Sequence, residues 1–466
     1  MNDLFLAGAG VRGIMPDSEM INNSLHSCMT VRLDEQGSPL LVKVLALTMG
    51  ERTLLIAALD TLRLYEVHSD LMRRSLAEAT AVPPEDIALC ASHSHSTPIL
   101  EPIEGPCPYF NFVMQQLTQA AVEACRTRRP ARIGQAVTHV VGASFNQRVP
   151  IANGGVKFTR DFREGLASGR PIDPRLNLIR IDDEHGKPIA GWIRFAAHPA
   201  CVIFDAPISA EYPGYLTEYL SRNVAGGAPI LYAFGAAGDV NCVPMFGKES
   251  DAQKLGLNLA QLAAPLFEET KTQMPRQMLA GRWVVDLPLD CPPSLDELQQ
   301  EIDEIRGFIS GLDRDPQLEW VIGINCKKDW PVEKKKSHVI ELAEWAERLR
   351  TTLESGRTFP RSWPAEITAF ILDDLGLVFY PGEPFTELGL ALAARSPLNE
   401  TLLMAHSNGT EGYLGTDEDR RRRGYEMYTW HRYQKRDPRC RPLPYALGAG
   451  EVMLDNAVGL IEDLIK

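Results

Sequence analysis

Short apolar runs, each ended by Gly, Pro, Asp or His, recur along this 466-residue chain and alternate with stretches of helical spacing. Residues 40–49 and 52–60 flank Gly50-Glu51, and residues 177–182 and 189–197 flank Glu184-His185-Gly186-Lys187, so both pairs read as hairpins. Residues 87–91, 229–234, 366–372, 377–380 and 402–405 read as further strands. Residues 66–80 and 112–128 carry apolar side chains at helical spacing, with Val113, Leu117, Ala120 and Ala124 on one face of the second. Helices are also expected over 384–395 and 451–466. Interleaving of this kind predicts an α/β class with mixed β-sheets flanked by helices.

One segment departs from the pattern. From Pro292 to about Arg361 the chain is charged and helical. Ser294-x-x-Glu297 has the form of a capping box, and Leu295, Leu298, Ile302, Ile305 and Ile309 follow as one apolar stripe. A second helix is expected over 338–353. The reading is one domain over 1–466, with a charged helical hairpin inserted at 292–361.

Charge narrows the partners. The net charge of −13 argues against nucleic acid, whose binding rests on clustered Lys and Arg. Arg420-Arg421-Arg422-Arg423 follows Asp417, Glu418 and Asp419, so it reads as a mixed-charge loop first and an anion site second. No apolar stretch reaches the about 18–20 residues of a membrane span, and residues 1–6 lack a signal-peptide pattern. The nine cysteines form no Cys-x-x-Cys pair. The expectation is a cytoplasmic protein with reduced cysteines and no stable membrane anchoring; oligomeric state is not legible.

Gly8-Ala9-Gly10-Val11-Arg12-Gly13 matches the dinucleotide-binding spacing, but no helix pattern opens at the glycines, so a tight turn is expected instead. His93-Ser94-His95, just past the strand at 87–91, is more informative. Its two histidines either share one metal ion or serve two roles. Other strand ends run into His198-Pro199, Pro381-Gly382-Glu383, Gly238-Asp239, and His406 with Asn408 and Gly412-Tyr413. Taken singly, His198 is equally a core histidine and Glu383 an N-cap partner. Together they describe a pocket of nitrogen and oxygen donors, which suits zinc.

These residues bring out a resemblance. The chain resembles the N-terminal catalytic domain of the neutral and alkaline, non-lysosomal ceramidases. The matching stretches are Ala91-Ser92-His93-Ser94-His95-Ser96, Asn146-Gln147-Arg148, residues 192–198, Ile208-Ser209 through Gly214-Tyr215, Gly238-Asp239-Val240, Pro381-Gly382-Glu383, and Gly412-Tyr413 followed by Gly424-Tyr425-Glu426. The resemblance implies one zinc ion per chain, bound by His93, His198, Glu383 and Tyr413. It implies catalytic roles for His95, Arg148 and Tyr425: His95 as proton carrier, Arg148 and Tyr425 as hydrogen-bond donors to the developing oxyanion. The activity implied is hydrolysis of an amide bond by metal-activated water.

Two departures qualify it. The family places a serine regarded as catalytic after Gly-Asp-Val, where this chain has Asn241 and then Cys242. Asparagine cannot form an acyl-enzyme, so direct attack by water is expected. The chain also ends after its closing helix, without the family's C-terminal β-sandwich, which points to a smaller, soluble amide or N-acyl substrate. The rival readings are a zinc esterase or lactonase, an amidohydrolase barrel whose further ligands cannot be assembled here, and an inactive metal-binding scaffold. Asp60 and Asp239 are either holders of a ligand histidine or turn caps. Tyr428, Trp430, His431 and Tyr433 read as core aromatics or a substrate wall, and His26, His68, His139, His185 and His338 have no legible partner.

Overall fold

A computed structural model describes residues 4–17, 19–20, 31–100, 107–152, 154–203, 206–320, 330–434 and 441–466. Twelve of its strands form two sheets. The first contains β1 (Phe5–Gly13), β2 (Leu41–Met49), β3 (Arg52–Leu59), β4 (Ile87–Ala91), β5 (Arg129–His139), β6 (Arg175–Asp183), β7 (Pro188–Phe195) and β8 (Ile230–Phe234), in the order β8-β7-β6-β5-β1-β2-β3-β4. The second runs β9 (Met278–Pro288), β10 (Ser362–Leu372), β11 (Leu375–Phe379), β12 (Glu400–Met404). Both expected hairpins form; Met49 pairs with Arg52 across the Gly50-Glu51 turn.

Three neighbouring pairs are parallel: β3–β4, β7–β8 and β11–β12. A parallel pair needs a crossover, and each has a helix in its connection: α1 (Glu66–Thr80), α3 (Glu211–Asn223) and α7 (Thr386–Arg395). Within this order α2 is Pro108–Arg126, α4 Glu249–Glu269, α5 Leu295–Leu312, α6 Val332–Glu354 and α8 Ala449–Ile465. No described helix is long and apolar enough to cross a membrane.

The sheets pack face to face, with helices outside both. Along β2, Leu45 and Leu47 join Trp192, Leu231, Phe370 and Phe379 between the sheets. The alternate residues Val42, Val44 and Ala46 meet Met72 of α1 and Leu117 of α2. Burial on both faces explains why this strand, apart from Lys43 and Thr48, is apolar rather than alternating. α3 and α4 cover the β6–β8 end, while α8 lies on the second sheet. The mixed α/β class expected above is the one observed.

The first sheet curls until its edges are joined by the segment after β12. Ala405 N–H donates to Phe234 O at the end of β8 (2.8 Å), and Ala91 N–H of β4 donates to His406 O (3.0 Å). Asn408 then pairs with Leu89 by backbone and side chain.

α5 and α6 lie between β9 and β10, which pair directly with one another, so the helical segment leaves and re-enters the sheet between adjacent strands. The Ser294–Glu297 capping box forms. Leu298, Ile302 and Ile305 are buried, at roughly 1.5–3 kcal/mol each, which anchors a hairpin whose outer face is charged.

Two local expectations are corrected. Gly8 and Gly10 lie within β1 rather than in a turn. A Cβ at Gly10 would stand 2.1 Å from Ala120 O, so these glycines let α2 press onto the strand. Arg420–Arg422 belong to a short helix, Asp417–Arg422, capped by Thr416. Arg421 pairs with Asp417, Arg422 with Glu418, and Arg420 with Asp290, so their charge is spent on acids within reach.

Candidate metal centre

The carboxyl ends of all three parallel pairs point to one place, the position at which open α/β sheets bind ligands. His93 follows β4, His198 follows β7, Glu383 follows β11 and His406 follows β12. His93 and His406 sit at φ 63° and 47°, a left-handed conformation that side-chain-bearing residues adopt only when surrounding structure enforces it. Glu383 and Tyr413 face each other in a two-residue parallel pairing, Glu383–Pro384 with Tyr413–Leu414.

Around the Glu383 carboxylate stand three imidazoles. Oε2 lies 3.0 Å from His198 Nε2 and 3.5 Å from His93 Nε2, and Oε1 lies 3.4 Å from His406 Nε2. All four groups are buried. His95 packs against His93 and His198, with ring centroids 4.9 and 5.8 Å away. Its nitrogens are covered and have no hydrogen-bond partner, although the residue as a whole is only half-buried.

The donor set fits a cation. His93 Nδ1 meets Leu62 O at 2.7 Å and His198 Nδ1 meets Val240 O at 3.0 Å. A carbonyl accepts only, so each Nδ1 carries a hydrogen and the neutral rings turn Nε2 lone pairs inward. His93 Nε2 so faces a carboxylate oxygen, acceptor against acceptor, which a cation would resolve, while His198 Nε2 stands at hydrogen-bond distance from the same oxygen, 3.0 Å. Imidazoles fixed through the far nitrogen by a carbonyl are the usual form of ligand histidines. His93, His198, Glu383 and His406 thus form a cluster able to hold a metal ion, and His93, His95 and His198 form an overlapping triad.

Without an ion the charges adjust to one another. Burial drives the His93 pKa down to about 3, with His406 adding to the fall. Burial also holds His95 well below its ordinary value, reinforced by His93 and His198. Burial works against ionised Glu383, but His93, His198 and His406 outweigh it and keep the carboxyl well below the usual range. Burial likewise opposes a charge on His198, and Glu383 outweighs it and raises the pKa.

Backbone ties hold the loops in register. The turn after β8 touches both ligand segments: Gly238 N–H donates to Pro384 O (3.1 Å), and Val240 O accepts His198 N–H (3.0 Å). A Cβ at Gly238 would lie 2.4 Å from Glu383 O, so only glycine allows this approach. Asp239 accepts from Thr386 N–H (2.9 Å) and Asn146 Nδ2 (2.6 Å). Asp60 accepts from Leu41 N–H at 2.9 Å. The two aspartates therefore tie loops, and it is backbone carbonyls that orient the histidines. Buried Glu211 accepts from Cys201 N–H (2.7 Å) and Ser96 Oγ (3.0 Å), joining the segments that follow His198 and His95. Sequence reasoning had no signal for Glu211.

Beyond Glu383 lies an aromatic and charged wall. Burial, then Glu383, raises the Tyr413 pKa well above its ordinary value, the hydroxyl lying against that carboxylate. The Tyr413 ring packs on Tyr425 (5.9 Å) and Trp430 (5.7 Å). Arg148 is fully buried: its guanidinium pairs with Glu426, faces Asp419 at 3.4 Å and donates to Arg423 O at 2.8 Å. Asn241 Nδ2 donates to Gln147, whose amide donates to Glu426 at 2.6 Å. Cys242 is buried against Cys201, Sγ to Sγ 3.3 Å. The helical hairpin docks on the same wall, through Trp345 on His431 (5.1 Å) and His338 on Tyr433 (5.2 Å).

Of the residues singled out from sequence, His93, His95, His198 and Glu383 converge within one cluster, with Tyr413 at its edge. Tyr425 stands one ring further out, and Arg148 lies behind it. His26 falls outside the described residues. His406, one of the strand-end donors of the expected pocket, joins the cluster beside Glu383 Oε1.

Two solved structures share this architecture. The neutral ceramidase from Pseudomonas aeruginosa matches with a TM-score of 0.62 at 16% identity, covering 100% of this chain and 75% of that one. A ceramidase complexed with C2 matches with a TM-score of 0.63 at 17% identity, covering 99% and 76%. No protein-family model matches the chain, and no curated protein gives a significant match. The resemblance stated from short motifs therefore holds for the fold: this chain has a neutral ceramidase-like fold throughout its length.

Proposed function

We propose that this chain is a zinc-dependent hydrolase that cleaves the amide bond of a small N-acyl compound. The observation that carries the reading is the buried His93–His198–Glu383 trio, with two imidazole Nε2 atoms turned to one carboxylate oxygen. Such nitrogen and oxygen donors are those of hydrolytic zinc sites. Zinc held there would supply Lewis-acid polarisation of a carbonyl and lower the pKa of a bound water to ~7. The amide bond comes from the neighbours, which are ceramidases by name.

In this proposal His93, His198, Glu383 and Tyr413 hold the ion. His95, beside His93 and His198, takes a proton from the attacking water and returns it to the leaving amine. Tyr425 donates to the carbonyl oxygen as it gains charge, a contact worth roughly 3–4 kcal/mol for a well-placed donor. Arg148 acts one step back, because Glu426 and the Arg423 carbonyl on either side of Tyr425 are its partners. We therefore assign Arg148 to positioning Tyr425. Asn241 offers no nucleophilic oxygen, and its amide is engaged with Gln147, so the attack falls to water.

The test is turnover by zinc-loaded protein of N-acyl amino acids, N-acyl sphingoid bases, esters and lactones, read as released amine or acid. An amide should be preferred, and His95→Ala should retain zinc while kcat falls about 10²–10⁴-fold. Turnover of esters or lactones alone, or a His95→Ala rate equal to the parent's, contradicts the proposal.

A further inference from the structure

The two ligand triads share only His93: one adds His95 and His198, the other Glu383 and His406. Geometry separates the two. His406 lies face to face with His93, ring centroids 3.9 Å apart and planes 20° from parallel. A ligand imidazole holds its metal in the ring plane, about 2.0–2.1 Å from the nitrogen for zinc. Nitrogen lone pairs lie in the ring plane, so two rings stacked face to face do not aim theirs at one point. His95 stands edge-on to His93 at 78°, so its plane is free to cross the same point.

What His406 does reach is the far oxygen of the ligand carboxylate. Its Nε2 stands 3.4 Å from Glu383 Oε1, slightly beyond an ordinary N–H···O contact, while Oε2 is the oxygen turned to His93 and His198. Thr410 Oγ1 lies 3.5 Å from Nδ1. A hydroxyl donating to Nδ1 leaves the hydrogen of the neutral ring on Nε2, facing the carboxylate. The backbone at His406 is fixed from both ligand segments: its N–H donates to Gly382 O (2.9 Å) and its O accepts from Ala91 N–H (3.0 Å). It is 1% exposed, so water does not substitute for it.

We propose that His406 is a positioning residue for the metal site: it orients Glu383 by holding Oε1 and fixes the His93 ring by stacking, without binding the ion. This rests on the zinc reading above. Hydrogen-bonding partners of ligand groups set metal affinity, and their loss typically weakens it about 10–100-fold. The seam residue that closes the first sheet is thereby part of the site.

The experiment is competition of metal-free protein with a chromophoric chelator for zinc, alongside the visible absorption of the cobalt(II) form. His406→Phe, which keeps a flat ring and removes the donor, should weaken zinc about 10–100-fold. The cobalt bands should keep the parent's position and intensity. His406→Gln, with an amide N–H near the place of Nε2, should restore most of the affinity. Thr410→Val, which removes only the hydroxyl facing Nδ1, should weaken zinc in the same direction and carries the test if His406→Phe does not fold. Parent-like affinity in both His406→Phe and Thr410→Val overturns the proposal. So does a cobalt spectrum showing a lost ligand in His406→Phe, which would make His406 a direct ligand. A parent protein that takes up no zinc overturns this inference and the function together, whereas a zinc-binding parent with an indifferent His406 overturns only the inference.

Discussion

The His–Glu cluster and the network behind Tyr425 are both buried and charged, and they are built in opposite ways. Around Arg148 each charge meets an opposite charge from within the chain: the guanidinium pairs with Glu426 and, through Nε at 3.4 Å and without a hydrogen bond, with Asp419; Asp419 also pairs with Arg170 at 2.6 Å, and Glu426 accepts from Gln147. Around Glu383 the charges are answered only in part: His198 Nε2 reaches the carboxylate at 3.0 Å, while His93 Nε2 and both ring nitrogens of His95 are buried without a hydrogen-bond partner. A buried network that satisfies itself reads as structure, while one that leaves lone pairs aimed at a common point reads as a place for an ion. The contrast assigns Arg148 and Glu383 different work although both are charged and almost fully buried.

The largest effect that can break this contrast is on stability at the self-satisfied network. Arg148→Met leaves Glu426 in the interior without its cation and Asp419 with Arg170 alone, and breaking a buried pair in this way costs about 3–5 kcal/mol. Urea unfolding of the metal-free protein should show a loss of that size. A loss below about 1 kcal/mol would mean that Glu426 and Asp419 find other partners, and the structural role of Arg148 would fall.

A smaller effect comes from Glu411, two residues before Tyr413. Burial, then Glu66, pushes its carboxyl up to about 8, against the pull of Trp363 and Arg441. The folded protein then holds a proton that the unfolded chain releases above its ordinary value of 4.5. This contribution to stability is full below that value and is lost as pH rises through about 8. Unfolding midpoints of the metal-free protein should decline across this window. Glu411→Gln should flatten the decline; an unchanged pH profile would show that Glu411 titrates normally.

How far the site was legible follows from what carries each signal. Strand-end residues announced themselves because short apolar runs stop at Gly, Pro or His, and parallel pairs deliver those ends together. His93, His95, His198 and Glu383 were found in that way. His406 was visible among the strand-end donors of the pocket but not as a neighbour of Glu383, since its place depends on β8 and β4 closing upon the segment after β12, a long-range event. The groups that orient His93 and His198 are the carbonyls of Leu62 and Val240, and a backbone carbonyl leaves no mark in a sequence. Asp60 and Asp239 were reasonable candidates for that reason alone. β9 escaped notice because its exposed residues, Val284 among them, blur the alternation. α4 escaped because Gly256 and Pro265 interrupt its helical pattern.

The central claim is that the Nε2 atoms of His93 and His198 and the Glu383 carboxylate, gathered at one buried point, belong to a metal site. Elemental analysis of the purified protein tests it most directly, with His93→Ala, His198→Ala and Glu383→Ala prepared alongside. The account predicts about one zinc per parent chain and its loss in all three variants, while Arg148→Met, if folded, retains it. A parent free of metal, or a zinc content unmoved by the three substitutions, would contradict it.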